Sequence, residues 1–354
     1  MTLLRTRLYE EHIKQNAKMV DFAGWEMPIQ YSNLKQEALA VREKVGVFDV
    51  SHMGEFFVEG PDAEKFLDNL LPNKVQGLSD YKALYSPLCN EEGKMLDDLI
   101  IYKFNSSKFM ICVNASNIDN DFNWLSKQVN DYDCKLTNQS QQFSLLALQG
   151  PKAEDTLLKL NIGEQIKDLQ YYCFQEANDL LIARTGYTGE DGFEIFGPHQ
   201  KIIELWQQFM ELEVEPCGLG ARDILRLEVC FPLYGQELTK ELTPLDCGLK
   251  WTVKLDKENF VGKTALENYQ PKYQLIKLTV DKGIPRIGYE IIQNEESIGK
   301  VTSGTMSVVL NQGIALGLID KNKYCPKEKI YVKIRNRLFE ANRQTKAFVQ
   351  GGHK

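Results

Sequence analysis

The chain has 354 residues, a length that favours two or three domains with sizeable buried cores. Its 43% hydrophobic and 26% charged residues are typical of a soluble globular protein, and no apolar run approaches the roughly 18 residues that a membrane span requires. The net charge of −7 argues against a general nucleic-acid-binding protein, because neutralising phosphates requires a basic surface. Glu10 and Glu11 interrupt the apolar stretch that a secretory signal would need.

Hydrophobic periodicity predicts an α+β fold class over about the first 270 residues. Helices are predicted at 33–45, 62–71, 117–130, 151–160, 200–212 and 221–230. The third helix starts at Ser116-Asn-Ile-Asp119, which resembles a capping box. Between the helices, β-rich or alternating runs predict strands at 55–59, 95–104, 109–114, 180–184 and 194–196.

After Lys272 the pattern changes to short runs divided by turn signals, and a domain boundary is expected near 255–272. A small barrel is predicted from runs at 274–280, 288–292, 297–303, 314–319 and 330–335. Residues 321–354 carry ten basic and two acidic residues, a net charge of +8 that leaves −15 elsewhere. A strand over Lys333-Ile-Arg-Asn-Arg337 would place its basic residues on one face, which either is solvated or binds an acidic partner or an anionic ligand tail.

The segment 184–194, Arg-Thr-Gly-Tyr-Thr-Gly-Glu-Asp-Gly-Phe-Glu, gives the strongest indication of a binding site. Glycines three residues apart allow the backbone to turn sharply and to approach another molecule closely: Gly186, Gly189 and Gly192. The carboxylates of the segment would repel a phosphate but suit a polar heterocycle with N–H donors: Glu190, Asp191 and Glu194.

Asp97 and Asp98 would leave opposite faces of a strand, which argues against a proton-sharing pair. A carboxylate beside apolar neighbours has its pKa raised by desolvation, which suits proton handling, whereas a solvated aspartate at a strand end is the open alternative. Asn114 ends a predicted strand just before a helix, where it either contributes to a site or simply caps that helix.

Arg222 and Arg226 lie one helical turn apart, where like charges repel unless a carboxylate or a ligand lies between them. Glu194 is one candidate partner. Two surface arginines paired locally with Asp223 and Glu228 explain the pattern equally well.

Other motifs are incomplete. The cysteines form no C-x-x-C pair and read as buried reduced thiols, and the four histidines lack the i, i+4 spacing of a helical zinc site, so no metal centre is predicted. Gly262-Lys-Thr264 resembles the end of a P-loop, but Lys257 replaces its first glycine. Gly218-Leu-Gly220 lacks the third glycine of a dinucleotide fingerprint, so no nucleotide site is predicted.

Taken together, several segments in this order resemble the aminomethyltransferase (T-protein) family of the glycine cleavage system. The resemblance spans nearly the whole chain. It rests on Asp21-Phe-Ala-Gly-Trp-Glu-Met-Pro28, Gly46-Val-Phe-Asp-Val-Ser-His-Met-Gly54, Asp97-Asp-Leu-Ile100, Val113-Asn-Ala115, Gly186-Tyr-Thr-Gly-Glu-Asp-Gly-Phe-Glu194, Ala221-Arg-Asp223 and Gly299-Lys-Val-Thr-Ser-Gly304.

The resemblance implies a three-domain cloverleaf with tetrahydrofolate at its centre. The expected domains are 1–50 with 142–255, which makes the first domain discontinuous, then 51–141, and a C-terminal β-barrel at 270–354. Glu194 is expected to bind the N–H donors of the pterin. The implied folate pocket is lined by Met53, Tyr85, Asp98, Asn114, Tyr187, Glu194, Arg222 and Phe231.

The implied reaction transfers the methylene carbon of an aminomethyl group from the lipoyl arm of a carrier (H) protein to tetrahydrofolate. Ammonia leaves, and 5,10-methylenetetrahydrofolate and dihydrolipoyl carrier form. Because N5 of tetrahydrofolate is the nucleophile, no metal, flavin or nucleotide is expected. Asp98 is the expected catalytic residue, stabilising cationic character or accepting a proton. Such an enzyme would be cytoplasmic in a bacterium and would lie in the mitochondrial matrix of a eukaryote.

The chain departs from the family at two positions. His353 stands near a folate-contacting tyrosine of relatives, and Phe231 stands where a tyrosine is also found. Two alternatives share the fold: a folate-dependent demethylase of a small sulfonium or methylamine substrate, and a non-enzymatic folate-binding assembly factor. The second has a cysteine before the tyrosine of its Tyr-x-Gly-Gln-Glu motif, where Pro232-Leu-Tyr-Gly-Gln-Glu237 has none.

Overall fold

The computed structural model describes residues 2–160, 162 and 166–352. Each predicted helix is present, with ends that differ by at most two residues. None of the helices in the described ranges is long and apolar enough to cross a membrane. The helices are α1 (Tyr9–Lys14), α2 (Leu34–Glu43), α3 (Ala63–Leu70), α4 (Ile118–Gln128), α5 (Ala153–Lys159), α6 (His199–Glu211), α7 (Leu219–Glu228) and α8 (Lys263–Glu267).

The strands fall into a hairpin of β1 and β2, two larger sheets and a barrel. In chain order they are β1 (Lys18–Phe22), β2 (Trp25–Gln30), β3 (Gly46–Asp49), β4 (Gly54–Glu59), β5 (Lys82–Cys89), β6 (Met95–Asn105), β7 (Lys108–Val113), β8 (Lys135–Asn138), β9 (Phe143–Gln149), β10 (Phe174–Ala177), β11 (Leu180–Ala183), β12 (Gly192–Pro198), β13 (Glu215–Pro216), β14 (Tyr273–Val280), β15 (Glu290–Gln293), β16 (Glu296–Met306), β17 (Gly313–Asp320), β18 (Ile330–Ile334) and β19 (Arg337–Gln344).

The first large sheet has six strands in the order β10-β11-β12-β9-β3-β13, antiparallel except for the β3–β13 pair. Strand β9 is buried on both faces, because α6 covers one face and the second sheet covers the other. Trp206 and Phe209 of α6 fill the helix side. Full burial of a large apolar side chain of this kind contributes roughly 1.5–3 kcal/mol.

The second large sheet runs β5-β6-β7-β4-β8 and is antiparallel throughout. Helices α3 and α4 cover its outer face through Phe66 and Leu125. Its inner face packs on the first sheet through Tyr102 and Phe104. Because side chains alternate along a strand, the inward Tyr102 of β6 places Asp98 on the inner face and Asp97 on the outer one.

The C-terminal strands close a six-stranded barrel in the order β14-β17-β16-β15-β18-β19. Strand β14 pairs with both β17 and β19, which leaves no free edge. The predicted fold class, α+β with a C-terminal β-barrel, is therefore confirmed. The domain limits 1–50 with 142–255, 51–141 and 270–354 stay a prediction.

Two local predictions are wrong. Lys333-Ile-Arg-Asn-Arg337 is not one strand, because β18 ends at Ile334 and Arg335 and Asn336 turn with φ of 49° and 145°. Its basic side chains therefore do not share one strand face. The predicted capping box at Ser116 is also absent, since a 3₁₀ turn over Ala115–Asn117 precedes α4 and its N-cap side chain makes no capping hydrogen bond.

Helix α7 joins the sheets to the barrel. Its Arg226 donates to Ser303 Oγ of β16 at 2.7 Å. Its Glu228 accepts from Ser307 Oγ at 2.6 Å and from Arg42 of α2 at 2.8 Å. These contacts fix α7 where the two sheets and the barrel surround a cavity.

Candidate active site

A cavity of about 1270 Å³ lies between the two sheets, α7 and the barrel. All eight side chains predicted for the folate pocket line it, although they come from distant parts of the chain. They are Met53, Tyr85, Asp98, Asn114, Tyr187, Glu194, Arg222 and Phe231.

On one side, β6 and β7 form what we call the aspartate wall, defined as Asp97, Asp98 and Asn114. Asp98 accepts hydrogen bonds from Tyr85 Oη at 3.0 Å and from Asn114 Nδ2 at 2.9 Å. Burial, and secondly the charge of Asp97, raise the pKa of Asp98 to about 7. The solvated alternative is wrong, and near neutral pH this carboxyl is divided between its ionised and protonated forms.

The side chain of Asn114 does not cap a helix. It makes no capping hydrogen bond to the 3₁₀ turn over Ala115–Asn117. Its Nδ2 instead donates to Asp97 Oδ1 at 2.7 Å and to Asp98 Oδ1 at 2.9 Å. The capping interpretation is wrong because a cap requires the side-chain oxygen of Asn114 to accept from a backbone N–H of the turn, and that hydrogen bond is absent.

The Gly-rich segment directs one of its three carboxylates to the cavity. Asp191 pairs with Arg184 at 2.6 Å and Glu190 pairs with Arg42 at 2.9 Å, so both are used within the protein. Glu194 lies on β12, lines the cavity, and accepts a hydrogen bond from Thr185 Oγ1 at 2.6 Å. Of the three, Glu194 is the carboxylate placed to meet a ligand.

The glycines of this segment are required by the protein's own packing. A Cβ at Gly186 would lie 2.0 Å from Gln149 Oε1, and one at Gly192 would lie 2.5 Å from the Leu148 carbonyl. Gly189 has a φ of +82°. Gly186 and Gly192 therefore lie close to β9 of the same chain, and not to another molecule as expected. A side chain at either position would displace the segment from β9.

On the other side, β12, α7 and the Gly-rich segment form the arginine wall, defined as Tyr187, Glu194, Arg222 and Arg226. The Arg222 guanidinium lies 4.8 Å from the centroid of the Tyr187 ring. Arg222 Nη1 is buried without a hydrogen-bond partner. Burial lowers the pKa of Arg222, and the nearby Glu194 charge opposes that shift. A buried donor of this kind is suited to bind a polar ligand atom.

Arg226 is paired instead within the protein. It donates to Glu237 Oε2 at 2.9 Å and to Asp223 Oδ1 at 2.8 Å. It is 1% exposed, and Glu228 pairs with Arg42 rather than with either arginine of α7. The predicted local pair of Arg226 with Asp223 is therefore present, whereas the surface position and the pair with Glu228 are wrong.

Aromatic rings line the space between the walls. The Tyr187 and Phe231 rings lie 5.8 Å apart, and the Tyr187 hydroxyl donates to the Pro232 carbonyl. Tyr85 stacks on Trp251 at 6.0 Å and 22°. Flat aromatic faces of this kind suit a heterocyclic ligand.

Several cavity residues were not predicted: His52, Tyr172, Trp251, Lys277, Arg286 and Ile287. Trp251 is 59% exposed. In the sequence, only its polar neighbours Lys250 and Thr252 indicate that this tryptophan lies outside a core. Lys277 and Arg286 come from the barrel, whose position against the sheets cannot be read from periodicity. The predicted His353 lies outside the described residues. Over the described ranges, no three His, Cys, Asp or Glu side chains are grouped to hold a metal ion.

Comparisons with known proteins identify the family of the chain. The GCVT N-terminal domain model matches residues 8–257, and the glycine cleavage T-protein C-terminal barrel domain model matches residues 274–350. The aminomethyltransferase of Thermosipho melanesiensis is 46% identical over 99% of this chain and 98% of its own length. That of Desulfitobacterium hafniense is 44% identical over 96% of both.

A solved structure shows the same fold. The crystal structure of glycine cleavage system aminomethyltransferase T from Bartonella henselae superposes with a TM-score of 0.94, at 34% identity and over 99% of both chains. The chain therefore belongs to the glycine cleavage T-protein family.

Proposed function

We propose that the chain is the aminomethyltransferase of a glycine cleavage system. It transfers the methylene carbon of an aminomethyl group, carried on the lipoyl arm of the H protein, to tetrahydrofolate. The products are ammonia, 5,10-methylenetetrahydrofolate and dihydrolipoyl H protein. The observation that carries the proposal is the convergence of the eight predicted pocket residues on one cavity.

The size and the aromatic lining of the cavity support a site for two substrates. Its volume of about 1270 Å³ exceeds the roughly 300–1,000 Å³ of an ordinary small-molecule site. A folate and the end of a lipoyl arm must meet in such a site. The aromatic rings between the walls suit a flat pterin, and Trp251 is exposed at 59%, where a second molecule can approach it.

The arginine wall binds the pterin in this proposal. Glu194 accepts hydrogen bonds from the amino and ring N–H groups of the pterin, since its other contacts leave it facing the cavity. Arg222 offers its unpartnered Nη1 donor to the ligand, and its guanidinium packs on the Tyr187 ring. Met53 and Phe231 supply apolar surface, and Asn114 and Tyr85 hold Asp98.

Asp98 is the catalytic residue in this proposal. Its carboxylate stabilises cationic character at the reacting nitrogens and carbon, or accepts the proton that leaves as the new bonds form. A pKa of about 7 suits either role near neutral pH. The nucleophilic nitrogen belongs to the substrate, so the chain contributes mainly by positioning, which supplies roughly 7–11 kcal/mol in favourable cases.

The H protein is the proposed partner, and the bacterial origin of the relatives above supports a cytoplasmic location. The basic segment 321–354 is the candidate surface for the H protein or for a polyglutamate tail. Lys329 and Lys333 in that segment form exposed ion pairs with Glu340 and Glu290, which reduces the free charge they offer.

Ammonia release from aminomethylated H protein, with and without tetrahydrofolate, tests the proposal. We expect release that depends on tetrahydrofolate and a matching yield of 5,10-methylenetetrahydrofolate. Absence of tetrahydrofolate-dependent ammonia would contradict the proposal and favour demethylation of a small sulfonium or methylamine substrate.

A further inference from the structure

A third buried carboxyl lies behind the aspartate wall. Asp121 belongs to the first turn of α4 and is 1% exposed, and Asp97 is 0% exposed. Each of the two carboxyls shifts the pKa of the other, so they lie side by side. Two carboxyls buried side by side do not both ionise near neutral pH, because their like charges repel in a low dielectric. The pair therefore shares one proton and one negative charge.

The contacts of the pair place that proton on Asp121. Asp97 accepts hydrogen bonds from Asn114 Nδ2 at 2.7 Å and from the Asn114 backbone N–H at 3.1 Å, and such donors favour its ionised form. Asp121 Oδ2 is buried without any partner that donates to it. Burial, followed by the charge of Asp97, raises the pKa of Asp121 to about 11.

We propose that Asp97 and Asp121 are a positioning pair for Asp98, in which ionised Asp97, held by protonated Asp121, directs the Asn114 amide at the Asp98 carboxyl. The single Nδ2 of Asn114 contacts Asp97 Oδ1 and Asp98 Oδ1, so a change at Asp97 reaches Asp98 through one shared atom. Asp97 also acts on Asp98 directly through its charge.

The other titratable groups that face Asp98 are tyrosines. Tyr85 comes from β5, and Tyr172, Tyr187 and Tyr234 come from loops of the first sheet and of the segment after α7. Burial raises the pKa of each above 10, so all four are neutral near pH 7. After burial, the Asp97 charge is then the next cause that raises the pKa of Asp98.

The two contributions of the pair act in opposite directions. The Asp97 charge raises the pKa of Asp98, whereas the hydrogen bond from Asn114 lowers it. Removing the Asp97 charge should therefore lower the pKa of Asp98, and removing the Asn114 amide should raise it. A purely structural role of Asp97 and Asn114 does not predict these opposite shifts. The pairing itself does not depend on the enzyme's reaction, but its catalytic consequence rests on the proposed function.

The test is a carbon-13 NMR titration of the full chain labelled at the aspartate side-chain carboxyl. The Asp98 signal is assigned by its loss in Asp98→Asn. In Asp97→Asn we expect its midpoint to fall by at least about one pH unit, because a like charge has been removed. In Asn114→Ala we expect it to rise, because the ionised form loses a donor. Asp119→Asn removes the same charge from an exposed position of α4 and should leave the midpoint unmoved.

An unmoved midpoint in folded Asp97→Asn overturns the inference, as does a midpoint in Asn114→Ala that stays or falls. Where Asp97→Asn does not fold, Asn114→Ala decides alone. In the ammonia assay, the pH below which kcat falls should shift with the same signs. Opposite midpoint shifts in a chain without tetrahydrofolate-dependent ammonia release would uphold the pairing and reject the proposed function.

Discussion

The two walls of the cavity hold their charges in different ways. In the arginine wall, Arg226 is matched by Glu237 and Asp223, and Arg222 lies against Tyr187 within reach of the Glu194 charge. In the aspartate wall, Asp97 and Asp98 lie next to each other, with the buried Asp121 behind them, and they accept hydrogen bonds from the Asn114 amide and the Tyr85 hydroxyl. The arginines of the arginine wall therefore stay charged near neutral pH, whereas the Asp98 carboxyl of the aspartate wall binds and releases a proton in that range.

This difference suggests a division of labour. Fixed charges suit recognition, because their hydrogen-bonding pattern does not change near neutral pH. A carboxyl with a pKa of about 7 suits proton handling, because it gives and takes a proton at little cost. We expect substitutions in the aspartate wall to change turnover and substitutions in the arginine wall to change binding or folding.

The largest expected effect is on turnover. Asp98→Asn keeps the shape of the side chain but loses its charge and its proton, so tetrahydrofolate-dependent ammonia release should fall roughly 10²- to 10⁴-fold. Tetrahydrofolate affinity, measured by calorimetry, should be retained. Asp119→Asn, an exposed change of the same kind, should have the parent's turnover. Unchanged turnover in Asp98→Asn would remove Asp98 from the mechanism.

A buried pair of the arginine wall should dominate folding stability. Arg226→Met leaves Glu237 buried without its cation, which should lower the free energy of unfolding by about 3–5 kcal/mol. Lys329→Met breaks an exposed pair with Glu340 and should cost less than about 1 kcal/mol. Urea unfolding of both variants checks the contrast. Equal losses would show that burial does not distinguish the two pairs.

Ionisation of Asp98 in the aspartate wall should lower the free energy of unfolding as pH rises. The folded pKa of Asp98 is about 7, above its ordinary 3.8, so ionisation is disfavoured in the folded state and stability falls between these values and is constant above them. Asp98→Asn should therefore unfold with a free energy on the order of 2–4 kcal/mol higher than the parent at about pH 8, and with little difference at about pH 4. A difference that is the same at both pH values would contradict the raised pKa.

The smallest expected effect is on affinity. Glu194→Ala removes a charged hydrogen-bond acceptor for the pterin, which should weaken tetrahydrofolate binding by about 1.5–3 kcal/mol. Turnover at saturating tetrahydrofolate should change less than in Asp98→Asn. Glu176→Ala, an exposed change on β10, serves as the control. Unaltered affinity in Glu194→Ala would refute the anchoring role.

Periodicity predicted the elements whose apolar faces repeat regularly. The amphipathic helix α6 shows this, as do most barrel strands. Strand β9 was missed because it is buried on both faces, and so shows no alternation, and because its run Leu145-Leu-Ala-Leu148 lacks β-branched residues. Strand β19 was missed because Arg337–Gln344 is mostly polar and half exposed, and only its pairing with β18 and β14 makes it a strand.

The site was predicted by residue type and by resemblance more than by local pattern. Asp98 could be placed on the inner face from alternation along β6. The roles of Asn114 and of Glu190 could not be derived, because they depend on partners that lie far away in sequence, such as Arg42 for Glu190. Physical reasoning from sequence identifies the groups, whereas the fold determines which of them remain free for a ligand.

The division between the walls is tested most directly by measuring kcat for ammonia release and the Kd for tetrahydrofolate side by side from about pH 6 to pH 8. We predict that kcat falls as Asp98 is protonated, with a midpoint near its pKa of about 7, while Kd stays constant. A Kd that rises as pH falls, together with a kcat that does not change, would contradict the assignment of proton handling to the aspartate wall and of recognition to the arginine wall.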